Sequence, residues 1–151
     1  MGRALAAVGG ALILCFVVLG AVVYFTRDED AVAVDNLLAE RIGRAFTEAG
    51  QQGDPLELAR LTPFAWDRVV VYTPGTPKAE IDRALGFEFP GEVPYSVESS
   101  EVFVFAAGDQ LARFADYRGS GRFEGLDRPV AVLTPAQAVF DVRDGVARPR
   151  E

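Results

Sequence analysis

The sequence predicts an α+β protein, with an N-terminal transmembrane helix and a small domain of two or three helices on a mostly antiparallel four- to five-stranded sheet. A long uncharged run near the N-terminus predicts the membrane helix. Short β-branched runs interspersed with amphipathic helical stretches predict the domain. These patterns divide the chain into four parts. Residues 1–30 are the anchor and a juxtamembrane segment, and residues 31–53 are an amphipathic helix with its linker. Residues 54–143 are the α+β domain, and residues 144–151 are a flexible tail.

Residues 4–25 form the anchor, because they contain no charged side chain. As a helix they reach about 33 Å, enough to cross a hydrocarbon layer of about 30 Å. Arg3 precedes the run, and Arg27 with the acidic residues 28–30 follows it. The short N-terminus and the acidic exit favour a cytoplasmic N-terminus and an extracytoplasmic C-terminal domain. We therefore expect a single-pass protein of the cell membrane.

Two alternatives to this anchor are less favoured. A cleaved signal peptide usually has a shorter apolar stretch of about 7–15 residues, and the cleavage-like residues 31–33 lie far from the apolar run. A lipoprotein needs a small residue before its cysteine, whereas Leu14 precedes Cys15 and the apolar run continues to Phe25. A retained transmembrane helix remains the main prediction.

Composition excludes several kinds of chemistry. The chain has 15 basic and 22 acidic side chains, a net charge of −7, and this acidity disfavours nucleic acid as a partner. It has no histidine, and its single cysteine, Cys15, lies in the expected anchor. Ser-His-Asp and Cys-His catalysis and Cys/His zinc sites are therefore excluded. We predict no catalytic residue, metal ligand or cofactor, although scattered carboxylates leave glycosidase-like or calcium chemistry open.

The first half of the domain contains helices and one buried strand. A helix beginning at Asp30 or Asp35 is expected to run to about Ala49, with its apolar side chains on one face. Residues 54–57 have the pattern of a helix start, which predicts a short helix to residue 60 or 61. The run 69–72 predicts a buried strand, and residues 77–85 predict a further helix that ends at a glycine.

The second half is expected to be mostly strands. Residues 102–107 and 110–118 predict a hairpin around the Gly108-Asp109 turn. A loop is expected at 120–127, and further strands at 130–133 and 138–142. The strand–helix–strand step from Val69 to Phe105 leaves room for one parallel pair in the sheet.

A resemblance covers residues 54–143. Phe64, Trp66 and Asp67 before the strand 69–72, the hairpin after Val102 and the closing strand around Phe140 resemble a domain of small uncharacterised bacterial lipoproteins and membrane-anchored proteins. The resemblance implies a bacterial envelope location and the α+β fold, and it implies no activity. The chain differs from that pattern in having a spanning helix and no lipidation cysteine.

Candidate binding residues lie at the strand 69–72. Trp66, Asp67 and Tyr72 fit either a structural role, with a buried indole and a locally paired carboxylate, or a recognition surface for a peptide or glycan. The structural interpretation is favoured, since aromatic residues beside an apolar strand are usually buried. Similarly, Arg113, Arg118 and Arg122 fit either an anion-binding patch or, more simply, partners for nearby acids.

The leading functional hypothesis is a non-enzymatic, membrane-anchored extracytoplasmic module that binds a protein or another component of the cell envelope. The alternatives are a carboxylate-dependent hydrolase acting on an envelope glycan, and an inhibitor or immunity-type protein. Two converging carboxylates in a pocket would favour the hydrolase. An exposed apolar patch or a free sheet edge would favour the binding module.

Overall fold

The computed structural model describes residues 34–91 and 101–150. Within them lie three helices, α1 (Asn36–Gln52), α2 (Leu58–Leu61) and α3 (Lys78–Leu85). The strands are β1 (Leu56–Glu57), β2 (Arg68–Tyr72), β3 (Glu101–Ala107), β4 (Gln110–Tyr117), β5 (Arg122–Phe123), β6 (Val130–Leu133), β7 (Val139–Arg143) and β8 (Val146–Pro149). The α+β class predicted from the sequence is confirmed.

Helix α1 begins where the Asp35 side chain accepts a hydrogen bond from the Leu38 N–H, at 2.9 Å. It ends at Gly53, whose left-handed φ of 77° suits glycine. One face of the helix is buried, through Leu38, Ile42, Phe46 and Ala49. The helix therefore packs on the domain, and it belongs to the same compact unit as the strands. The boundary expected at residue 54 falls inside this unit.

The strands form two sheets, with the orders β1-β7-β8-β5 and β4-β3-β2-β6. The single sheet of four or five strands expected from the sequence is thus wrong. The chain changes sheets at the turn between β6 and β7, where the N–H groups of Gln137 and Ala138 both donate to the Thr134 carbonyl. This turn redirects β7, so its apolar face packs against the sheet β4-β3-β2-β6 instead of extending that sheet.

Two further expectations are corrected. Strands β2 and β3 pair antiparallel, and the parallel pair among the described residues is β5 with β8. The tail expected at 144–151 contains β8, which forms a hairpin with β7. Asp144 and Gly145 both have positive φ values, 50° and 75°. This is the backbone that a tight hairpin turn requires, and an Asp-Gly pair favours it.

The main core lies between the two sheets and α1. Its centre is an aromatic cluster in which Phe123 contacts the rings of Phe46, Phe103, Tyr117 and Phe140 at centroid distances of 5.7, 5.1, 5.6 and 5.2 Å. Phe123 lies in the segment expected to be a loop. Its two-residue strand holds the ring at the centre of the core.

The opposite face of the sheet β4-β3-β2-β6 is covered by α3. Ile81 and Leu85 of that helix are buried, and Phe89 beyond it meets Phe114 edge-on at 5.4 Å. Both faces of β2 are therefore buried from Val69 to Tyr72, which accounts for the apolar run at these positions.

No helix among residues 34–91 and 101–150 has the length and apolarity needed to cross a membrane. The transmembrane helix expected at residues 4–25 lies outside the described residues.

Candidate functional site

Trp66 lies just before β2 and is partly buried. Its indole Nε1 donates to Thr62 Oγ1 at 2.7 Å, and its ring meets Phe105 edge-on at 5.1 Å. Phe64 packs edge-on against the same Phe105 ring at 5.6 Å. Because the polar end of the indole is satisfied and its apolar body is packed, Trp66 acts as a support for the edge of the core.

Asp67 joins Arg68 to the β3–β4 hairpin. Its carboxylate accepts one hydrogen bond from Arg68 Nη1 at 2.6 Å and another from the Gly108 N–H at 2.5 Å. The Arg68 guanidinium in turn donates to the carbonyls of Gly108 and Leu85. Leu85 ends α3, so a cation there also complements the helix dipole. The pair thus fastens β2 to the hairpin and to α3.

These contacts make part of the stability pH-dependent. The hydrogen bond from the Gly108 N–H, with the neighbouring Arg68, holds the pKa of Asp67 below its usual value of 3.8. A carboxyl group whose pKa is lowered by folding stabilises the folded state above its usual pKa, and this contribution is lost as the pH falls through the lowered value.

Tyr72 is fully buried, at the other end of β2. Its side chain lies on the face of the sheet that α3 covers, since alternate residues of a strand point to opposite faces. Trp66 packs on the other face, against Phe105. Trp66 and Asp67 are therefore neighbours at the start of β2. Tyr72 lies at the other end of the strand, with its side chain on the face opposite Trp66. The three residues do not form one surface.

The three arginines considered for an anion site each lie near a carboxylate. Arg113 is 3.9 Å from Asp35, Arg118 is 2.5 Å from Asp116, and Arg122 is 3.9 Å from Glu124. Arg113 and Arg118 belong to β4 and its end, whereas Arg122 belongs to β5 of the other sheet. Arg118 is hydrogen-bonded to its acid, whereas Arg113 donates to the Ala112 carbonyl at 2.9 Å. The simpler interpretation of the sequence, in which these arginines partner nearby acids, therefore fits Arg118 best.

The edge formed by β6 was not predicted. The Thr73 N–H donates to the Pro129 carbonyl, which makes these residues a hydrogen-bonded pair. Such pairs alternate along an antiparallel ladder, so Ala131 and Leu133 also bond to β2. The N–H and C=O groups of Val130 and Val132 must then point away from β2. No backbone group of the described residues bonds to them.

The side chain of Val132 is also exposed, by 47%. Val132 and Leu37 on α1 are the exposed large apolar side chains in the described part of the chain. The other sheet edges are less open. The Asp35 N–H donates to the Phe114 carbonyl on the outer side of β4, and the edge strands β1 and β5 have two residues each. The β6 edge, defined here as Val130–Leu133, is therefore the most accessible backbone edge described.

Two surface grooves of the described residues border helix α1. One, of about 150 Å³, lies between the end of α1 and β1 and is bordered by the acids Glu48, Asp54 and Glu57. The other, of about 480 Å³, lies between the start of α1 and the end of β4. Among residues 34–91 and 101–150, no group of three or more acidic, cysteine or histidine side chains is arranged to hold a metal ion.

Comparisons with protein families, curated proteins and solved structures find no match to this chain. The resemblance to membrane-anchored bacterial envelope proteins stays a prediction. The class that the fold defines is an α+β domain with two four-stranded sheets.

Proposed function

We propose that the protein is a non-enzymatic binding module, anchored in the cell membrane through residues 4–25, whose extracytoplasmic domain takes up an extended segment of an envelope protein. The β6 edge is the observation that carries this proposal. Its outward N–H and C=O groups match those of an added strand, and backbone hydrogen bonds of this kind provide much of the affinity in strand addition. The exposed Val132 supplies an adjacent apolar contact.

The arrangement of buried carboxylates also favours binding over hydrolysis. A glycosidase needs two carboxyl groups facing each other across the scissile bond. The most buried carboxylates described are Glu101 and Asp116, and each is held by an arginine, Arg128 or Arg118. Glu101 shares the face of Phe103, whereas Asp116 lies on the α3 face. The two cannot act on one substrate.

A carboxylate-dependent hydrolase remains the second candidate, because three acids border the groove beside β1. Glu57 in that groove is engaged by Arg60 at 2.8 Å. Turnover of an envelope glycan by the purified protein would favour this function over binding. An inhibitor or immunity-type protein is the third candidate, and it would use the acidic surface of the chain to bind the protein that it neutralises.

Replacement of Val132 by proline tests the binding function. Proline removes an outward N–H that β2 does not use, so the domain should fold while strand addition is blocked. A photocrosslinking residue at position 132 should capture one polypeptide in the protein's own membranes. Co-purification of that polypeptide should fall at least tenfold in Val132→Pro.

The control for this experiment is Leu37, which is 66% exposed on α1. Leu37→Asp should retain the partner, and a crosslinker at position 37 should not capture it. Equal capture from both positions, or full retention of the partner by a folded Val132→Pro protein, would rule out the β6 edge as the binding site.

The proposed location makes a separate prediction. A reporter enzyme that is active only outside the cytoplasm should be active when fused after Glu151, because residues 4–25 carry no charge and an acidic segment follows them. A reporter that is active only in the cytoplasm should be inactive at the same position. The reverse pattern would refute the extracytoplasmic location while leaving the binding edge open to test.

A further inference from the structure

Two buried polar atoms among the described residues lack a hydrogen-bond partner, the Tyr72 hydroxyl and Asp116 Oδ1. The side chains that carry them are almost wholly enclosed, Tyr72 at 0% exposure and Asp116 at 9%. An unpartnered buried oxygen destabilises the folded state, and native proteins usually satisfy such atoms with a protein group or an ordered water. One bound molecule would satisfy both atoms if they lie close together.

The strand register places the two side chains on one face. Tyr72 pairs with Val102, and Val102 pairs with Asp116, so the three residues form a row across β2, β3 and β4. Because neighbouring strands are about 5 Å apart, the ends of the row are about 10 Å apart at the backbone, a distance that a tyrosine side chain is long enough to cover in large part. Burial raises the pKa of Tyr72, and the charge of Asp116 raises it further, which indicates that the hydroxyl and the carboxylate are electrostatically close.

A third group could form hydrogen bonds to both the Tyr72 hydroxyl and the Asp116 carboxylate. Asp116 Oδ2 already accepts two hydrogen bonds from the Arg118 guanidinium, at 2.8 and 2.5 Å, while Oδ1 accepts none from the described residues. The Tyr72 hydroxyl can donate one hydrogen bond. A molecule that accepts from the hydroxyl and donates to Oδ1 would satisfy both, and water is the smallest molecule that can do so.

We propose that one water molecule is bound between the Tyr72 hydroxyl and Asp116 Oδ1, beside Val102. This buried water site ties β2 to β4 across β3 on the α3 face. It is independent of the β6 edge and of any partner. It also gives Tyr72 a structural role in place of the recognition role considered from the sequence.

The test uses the full-length protein in detergent micelles, with Tyr72→Phe, Asp116→Ala and the double variant. Tyr72→Phe should lower the folding equilibrium constant by about tenfold, as loss of one hydrogen bond does. Asp116→Ala should lower it further, because it also removes the partner of Arg118. In the Asp116→Ala protein, Tyr72→Phe should have little additional effect, because the water bridge is already absent. Unbridged groups would behave differently. Tyr72→Phe would then leave stability unchanged or higher, or the two effects would simply multiply.

Direct detection of the water comes from magnetisation transfer in NMR. A long-lived water should give a cross-peak to the Val102 methyl groups, and the peak should vanish in Tyr72→Phe. Tyr117→Phe is the matched control, because that hydroxyl faces the main core and accepts from the Gly121 N–H at 3.3 Å. It should leave the Val102 peak intact. No peak in the wild-type protein would overturn the water site.

Discussion

Phe123→Ala is expected to lower the free energy of unfolding by about 3–5 kcal/mol, the cost typical of removing a buried phenylalanine. Phe123 is 2% exposed and meets four aromatic rings, contributed by α1, β3, β4 and β7. Those elements belong to both sheets, so the cavity would weaken the whole core at once. The free energy of unfolding of a whole domain is only about 5–15 kcal/mol.

Urea denaturation of the full-length protein in micelles measures this loss, with Trp66 as the single fluorescent tryptophan. Phe64→Ala is the matched control. Phe64 is only partly buried and meets one described ring, Phe105, at the edge of the core. It should cost about 1–2 kcal/mol, since an incompletely buried ring loses less on removal. If Phe123→Ala lowers the free energy of unfolding by less than Phe64→Ala does, the central position of Phe123 in the core is contradicted.

The sequence predicts best the elements whose signals are local. Helix α1 is capped by Asp35, one of its two predicted starts, because an aspartate cap and a regular apolar face specify a helix within one segment. The β3–β4 hairpin follows from two apolar runs around Gly108-Asp109 for the same reason. The Asp144-Gly145 pair is an equally local signal for the turn before β8, and the tail predicted at 144–151 does not take it into account.

The division into two sheets has no such local signal. Which strands become neighbours depends on packing between distant segments, and β5 is too short for any periodicity to appear. The all-apolar run of β2 does not reveal which residues face the main core and which face α3. That is why Tyr72 was grouped with Trp66, although the sheet lies between them.

The candidate binding edge was missed for a related reason. An apolar run such as Val130–Leu133 fits a central strand as well as an edge strand. The useful signal was the pair of prolines, Pro129 and Pro135, that flank it, because proline is confined mostly to the edges and ends of sheets. Hydrogen-bond register, which only the structure provides, identifies the outward groups of Val130 and Val132.

Trp66→Ala is expected to cost about 3 kcal/mol, which is the low end of the range for removing a large aromatic side chain because Trp66 is only partly buried. The substitution removes the indole packing on Phe105 and leaves Thr62 Oγ1 without the Nε1 donor. In the wild-type protein the fluorescence should be blue-shifted and poorly quenched by acrylamide. Free quenching, together with an unchanged melting temperature in Trp66→Ala, would instead identify Trp66 and Asp67 as an exposed binding pair.

Asp67→Asn is the matched comparison, because it keeps the shape of the neighbouring side chain and removes only its charge. Its effect near neutral pH should be much smaller than that of Trp66→Ala, since Asp67 is solvent-exposed. The stabilities of the wild-type and Asp67→Asn proteins should differ most at acidic pH. Folding lowers the pKa of Asp67 below 3.8, so the wild type should lose part of its stability as the pH falls through that lowered value. Asp67→Asn should lose less over the same range, and thermal melts from pH 6 to about pH 2 would measure the difference. Identical acid profiles for the two proteins would show that the contacts of Asp67 with Gly108 and Arg68 do not stabilise the folded state.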